Sequence, residues 1–334
     1  RNGMRIDRPR PTLPISAPWT LAGLCVLALV GCSRAPIHVQ DGPEPFDGGL
    51  RDHVSFLCEL EPPRSAAHPD ALDRAADYIE SLFRSAGARV SEQAFEVDGH
   101  TYRNVIACFG PEAGARMIVG AHYDVCGDLP GADDNGSGVA VLLELAKVLG
   151  RTPPDSTVEL VAFTLEEPPY FDSRDMGSAR HAQDLRARGV EVSGMISLEM
   201  LGFYSGAEGS QTFPAPSLEE RYGTVGDFLA VVGRPQDEAL VRSTRTALHR
   251  EGLRAEPLLA PPSVTGVDFS DHRNYWDLDM TAIMITDTAF FRNANNHEAG
   301  DTPDTLDFDR MQLAVHGVHD AITAWQSSTE PSSR

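Results

Sequence analysis

Apolar residues return every three or four positions behind Asp70, at Leu72, Ala75, Ala76, Ile79, Leu82 and Phe83. That stripe predicts an amphipathic helix capped by Asp70 and closed at Gly87. Past Gly87 the period drops to two, and the runs 90–97 and 102–109 flank Asp98-Gly99-His100 as a β-hairpin would. Short apolar runs bounded by turns follow at 117–121, 158–164, 195–198 and 282–286, and they alternate with helical patterns at 138–149, 178–188 and 237–251. This alternation predicts an α/β fold: a single mixed, mostly parallel central sheet flanked by helices. A last amphipathic helix is expected over 310–325. The folded domain is expected to span 50–326, ahead of a disordered tail at 327–334.

With 334 residues, 41% hydrophobic and 23% charged, the chain is long enough for one large core. Its net charge of −21 excludes a nucleic-acid footprint, which needs clustered Lys and Arg. Four arginines within residues 1–10 precede an apolar run at 19–31 that is too short to cross a bilayer and has the flanks of a secretory signal. Its end, Leu29-Val30-Gly31-Cys32, resembles the lipobox of bacterial lipoproteins. The resemblance implies cleavage after residue 31, acylation of Cys32 and a flexible tether over 32–49. The mature chain then has no transmembrane helix. It sits in the cell envelope as an outer-membrane lipoprotein facing the periplasm or exterior. Of the five cysteines, Cys58, Cys108 and Cys126 remain in the exported body, an odd number without zinc-finger spacing.

The chemistry gathers where strands are predicted to end. His122 and Asp124 leave one face of an extended chain at the polar end of the 117–121 run. Asp134 follows in the turn-rich segment Asp133-Asp134-Asn135-Gly136-Ser137-Gly138, which empties into a helix. Glu166 and Glu167 emerge from the 158–164 strand ahead of two prolines, Glu199 closes another strand, and His297 lies in the loop after 282–286. In an open α/β sheet, ligands collect outside the carboxyl ends of the strands. An HxD pair alone is usually a solvated turn, and adjacent glutamates are usually surface, as at Glu219-Glu220. Here, however, two imidazoles and three carboxylates occur together. His122, Asp134, Glu167, Glu199 and His297 carry about −3, which two Zn2+ ions and a bridging hydroxide bring near zero.

In order and spacing over roughly 50–325, these residues resemble the co-catalytic dizinc aminopeptidases of metallopeptidase family twenty-eight, which include the bacterial leucyl and Streptomyces-type enzymes. The resemblance implies that His122 binds one zinc while Asp124 steadies its imidazole. Asp134 would bridge the two ions, with Glu167, Glu199 and His297 completing the shell and Glu166 acting as general base. The implied substrates are peptides, cut at the N-terminus. Two positions depart from the family pattern: Glu199 stands where Asp is frequent, and Asn296 where a Tyr often helps polarise the carbonyl. Ser270-Asp271-His272 resembles a family segment at the pocket wall, with His272 the reserve ligand. Loops 203–221 and 258–269 are expected to supply the other walls. The alternatives are a one-zinc glutaminyl-cyclase-like transferase, a carboxypeptidase using Arg273 or Arg292 as its clamp, and a non-catalytic envelope ectodomain.

Overall fold

The computed structural model describes residues 48–329. The expected signal segment, Cys32 and nearly all of the tether lie outside the described residues, as do 330–334. In chain order the elements are α1 (Leu50–Cys58), α2 (Pro69–Ser85), β1 (Arg89–Val97), β2 (His100–Phe109), β3 (Arg116–His122), α3 (Gly138–Arg151), β4 (Val158–Phe163) and α4 (Gly177–Ala187). They continue with β5 (Val192–Glu199), α5 (Pro216–Tyr222), β6 (Leu229–Gly233), α6 (Glu238–Arg250), β7 (Ala255–Leu259), α7 (Arg273–Trp276), β8 (Ala282–Thr286) and α8 (Phe308–Thr329).

One eight-stranded sheet runs in the order β1-β2-β4-β3-β5-β8-β6-β7. The hairpin β1–β2 joins β4 antiparallel, while β4, β3, β5 and β8 lie parallel at the centre. β6 returns antiparallel to β8, and β7 pairs parallel with β6. The chain places β4 on one side of β3 and β5 on the other. A crevice therefore opens at the carboxyl end of β3, where the winding direction reverses.

Strand alternation sorts the core into two faces. Val119, Leu160, Ile196 and Ile285 pack with α1, α2, α3, α6 and α8 on one face. On the other, Ile118, Val161, Met195 and Met284 pack with Leu185 of α4 and with Tyr275 and Trp276 of α7. Gly120 belongs to the second face, where a Cβ would lie 2.2 Å from the Phe163 ring. The missing side chain lets Phe163 cross β3.

The structure departs from the sequence expectations at several boundaries. Helix α2 starts at Pro69, with His68 as its cap residue, so Asp70 sits in the first turn instead of capping it. Proline at the first helical position presets φ and needs no N–H partner, which fixes the start there. Helix α1, α5 and strands β6 and β7 are additional elements. Helix α8 continues to Thr329, past the expected end of both the last helix and the folded domain, because its last turns are docked. Trp325 Nε1 donates to the Ser193 carbonyl at 3.0 Å, and Gln326 Nε2 donates to Ser156 at 3.2 Å. Among the described residues no helix is long and apolar enough to cross a membrane.

Candidate metal centre

Three strand ends, the turn 132–137 and one long loop deliver the donors. His122 is the last residue of β3 and Glu199 the last of β5. Beyond β4 the chain bends through Leu165, whose φ of +59° turns it away from the sheet, and presents Glu166 and Glu167. Asp124 fixes that bend: its Oδ1 accepts the Glu166 amide at 3.1 Å and its Oδ2 accepts the Glu167 amide at 3.0 Å. Its Oδ1 also lies 3.5 Å from His122 Nδ1. This is long for a hydrogen bond, so holding the glutamate bend is the better-formed of its contacts. His297 closes the ring from the loop after β8, at a φ of +56°.

The polar residues around Asp134 each tie the turn 132–137 to the exit of β5. Asn135 Nδ2 donates to the Leu198 carbonyl at 2.9 Å, and its Oδ1 accepts the Met200 amide at 3.1 Å. Ser137 Oγ donates to the Asp133 carbonyl at 2.7 Å and accepts the Leu201 amide at 2.8 Å. Asp133 Oδ1 accepts the Gly202 amide at 2.9 Å. A Cβ on Gly138 would lie 2.4 Å from Asn135 Oδ1 and 2.6 Å from the Leu198 carbonyl oxygen, so this crossing needs glycine. From the far side, both Asp301 oxygens accept the Asp133 and Asp134 amides at 2.8 and 3.1 Å.

Thus held, the donors form two trios that share one carboxylate. His122 Nε2 lies 3.4 Å from Asp134 Oδ1 and 3.5 Å from Glu199 Oε2. His297 Nε2 lies 3.1 Å from Asp134 Oδ2 and 3.2 Å from Glu167 Oε2. Donors placed tetrahedrally at 2.0–2.1 Å from a zinc ion sit about 3.3 Å apart; the donor atoms of His122, Asp134 and Glu199 all lie within 4.8 Å of one another, and both His297 contacts have the tetrahedral spacing. The buried Glu167 Oε1 has no hydrogen-bond partner among the described residues, a vacancy in its bonding that a cation would fill. The residues present fit bound divalent metal. Glu166 stands beside them, its Oε2 3.9 Å from His122 Nε2.

The protonation balance reflects crowded acids in a dry place. Burial pushes Glu166 well above the ordinary carboxylate range against the pull of His122, with Glu199 and Glu167 raising it further. Burial takes Glu167 up to about 7. Asp134 stays below its usual value, because hydrogen bonds to His122 and His297 outweigh its burial. Hydrogen bonds to Asp134 and Glu167 raise His297 to about 11.

Several neighbours differ from the sequence reading. Ser270 is more than pocket wall: its Oγ donates to Glu199 Oε2 at 2.7 Å, backed by Ser197 at 2.8 Å. His272 is not a reserve ligand. It is fully buried against Trp276, its Nε2 is hydrogen-bonded to the Val267 carbonyl at 2.9 Å, and burial pushes it down to about 3. Asn296 donates its amide to Asp134 Oδ2 at 2.8 Å, which steadies the shared carboxylate. Asp271 is buried, and burial raises it to about 7. The clamping roles of Asp301 and Ser270 escaped the sequence reading, because bonds to backbone groups and across loops leave no periodic signal. Cys58, Cys108 and Cys126 are all free thiols. Cys126 has its sulfur within 4.8 Å of donor atoms of Glu167 and His297.

Beside the cluster opens an apolar pocket walled by Phe213, Phe228, Leu258, Val267, Phe269 and Met284. It adjoins the donors through Phe269, which precedes Ser270, and through its wall residue Thr286, which pairs with Glu199 across the sheet. Phe213, Leu258, Val267 and Phe269 come from the two loops that the sequence pointed to, while Phe228 and Met284 come from outside them.

The sequence model described as Peptidase family M28 matches residues 104–322. The uncharacterized protein YfbL of Escherichia coli (strain K12) is 47% identical over 278 residues, covering 80% of this chain and 85% of that one. Aminopeptidase YwaD of Bacillus subtilis (strain 168) is 32% identical over 127 residues, 37% of this chain and 26% of that protein. YfbL aside, the chain spans about half the length of most curated relatives it matches. In fold it is similar to a solved zinc aminopeptidase from Bacillus subtilis, with a TM-score of 0.64 at 17% identity, covering 82% of this chain and 93% of that one.

Proposed function

The chain belongs to peptidase family M28, and we propose that it is a zinc-dependent aminopeptidase that binds two ions and removes N-terminal residues from peptides. The observation that carries this reading is Asp134, whose two oxygens face different imidazoles, His122 and His297. A single ion, as in a glutaminyl-cyclase-like enzyme, would leave one trio of donors without its cation. An ectodomain without catalysis has no need for all five donors and a buried carboxyl beside them.

In this reading His122, Asp134 and Glu199 hold one ion, while His297, Asp134 and Glu167 hold the other. Bound zinc supplies Lewis acidity and lowers the pKa of water. Glu166 takes the proton from the attacking water and returns it to the leaving amine, a task helped by the elevated pKa that its burial gives it. Asp124 keeps Glu166 and Glu167 aimed by holding both of their amides. The apolar pocket beside Glu199 suits an uncharged side chain of the N-terminal residue, and the surrounding acids suit its ammonium.

The carboxypeptidase alternative gains little from its two candidate clamps, since both arginines bond to loop groups and, of their buried donors, only Arg292 Nη2 lacks a partner among the described residues. Arg292 is buried over Phe228 and donates to Gln211 at 2.8 Å. Arg273 stacks on Phe171 and pairs with Asp172 and Asp268.

The N-terminal arginines, the apolar run and Cys32 support a lipid-anchored protein of the cell envelope. The test of the activity is a panel of aminoacyl and N-blocked peptides with wild type and Glu166→Ala, before and after chelation. Free N-termini should be cleaved, chelation should abolish turnover, and Glu166→Ala should lose about 10²–10⁴-fold in kcat. Cleavage of blocked peptides alone would reject the aminopeptidase reading.

A further inference from the structure

Arg64 lies in the turn between α1 and α2, forty residues before the region matched to the peptidase family begins. It is 1% exposed, although a buried guanidinium is costly unless every donor is used. Its close hydrogen bonds run to backbone carbonyls, with the Cys58 thiol as a further neighbour: Nε donates to Tyr123 at 2.8 Å, Nη1 to Leu57 at 3.0 Å and to Pro130 at 2.7 Å, and Nη2 to Gly131 at 2.6 Å. In return the Arg64 carbonyl accepts the Val125 amide at 3.1 Å.

These positions lie at the two ends of one loop. Tyr123 sits between His122 and Asp124, whereas Pro130 and Gly131 lead into Asp134. The contact is tight: a Cβ on Gly131 would lie 2.2 Å from Val125 Cγ1, 2.3 Å from the Asp134 carbonyl oxygen and 3.1 Å from Arg64 Nη2. One planar group therefore spans the neck of the loop that carries His122 away from β3 and brings Asp134 back. A fork with this many directed donors does what a lysine ammonium cannot.

We propose that Arg64 is a positioning residue, tying the ends of the 123–131 loop so that His122 and Asp134 meet at metal-binding distance. The inference rests on reading these two side chains as metal ligands.

Co2+ is the probe, titrated into metal-free wild type, Arg64→Lys and Arg64→Ala and followed by equilibrium dialysis and visible absorption, with circular dichroism to confirm folding. Arg64→Lys should bind at least about tenfold more weakly, with an altered spectrum, as loss of a group that orients metal ligands commonly does. Millimolar guanidinium chloride should restore uptake by folded Arg64→Ala, and sodium chloride at equal concentration should not. If Arg64→Ala does not fold, the lysine variant decides. Wild-type affinity and spectrum in Arg64→Lys, or a deficit in folded Arg64→Ala that guanidinium leaves unchanged, would overturn the role of Arg64 alone. No cobalt uptake by wild type would instead overturn the metal reading, and this inference with it.

Discussion

Glu199 shows how one residue's reach is set by its neighbours. Its longer arm, compared with aspartate, is steadied by the Ser270 hydroxyl, which donates to Oε2 at 2.7 Å. Removing that donor leaves the carboxylate free to swing. Ser270→Ala is therefore predicted to weaken zinc affinity by about 10–100-fold while thermal stability without metal changes little, as measured by competition against a chromophoric chelator. Unchanged affinity would make Ser270 a packing residue only. The donors themselves were legible in the sequence, because His122, the Glu166–Glu167 pair and Glu199 fall where an apolar run gives way to polar residues, and such places are strand ends. Ser270, Asp301 and Arg64 were not legible. Each acts through bonds to partners distant in sequence, and nothing in local spacing announces them.

At the scale of elements, the four central parallel strands were readable because each is a short, mostly apolar run bounded by turns, as burial on both faces demands, although β4 carries the buried Glu159. β7 was missed for a physical reason. Pro257 and Glu256 interrupt its apolar pattern, and the strand tolerates them because it pairs only with β6 at the sheet edge. Helix α1 is nine residues long, too short for its period to stand out. The junction of the 132–137 turn with β5 is a tight element contact at the site. Gly138→Ala places a methyl carbon 2.4 Å from Asn135 Oδ1, against backbone that has little room to yield. Overpacking of this kind costs about 1–3 kcal/mol, seen as a lower urea midpoint. Gly206, with nothing within 4 Å of an added Cβ, is the control, and Gly206→Ala should stay within about 0.5 kcal/mol of wild type. Equal effects at both positions would contradict this account of the turn.

For the whole molecule, the crowded carboxyls couple stability to pH and to metal. Burial raises Glu167 from 4.5, and Asp271 and Asp301 from 3.8, to about 7, and it raises Glu166 as well. Folded-state values above the unfolded ones give stability that is present below about pH 4 and lost as pH climbs through about 7. His297, raised from 6.5 to about 11, adds a loss of the same sign above pH 6.5. From these groups, metal-free protein should melt at a higher temperature at pH 5.5 than at pH 8, and zinc should raise Tm more at pH 8, where its ligands are already deprotonated. Thermal melts at both pH values, with chelator and with zinc, check the sign; a metal-free protein that gains stability toward pH 8 would contradict it.

The central claim is that Asp134 is shared between two cations, and elemental analysis of purified, zinc-reconstituted protein tests it most directly. The account predicts two zinc ions per chain for wild type, both retained in Glu166→Ala. A plateau at one ion per chain, or no uptake at all, would contradict it.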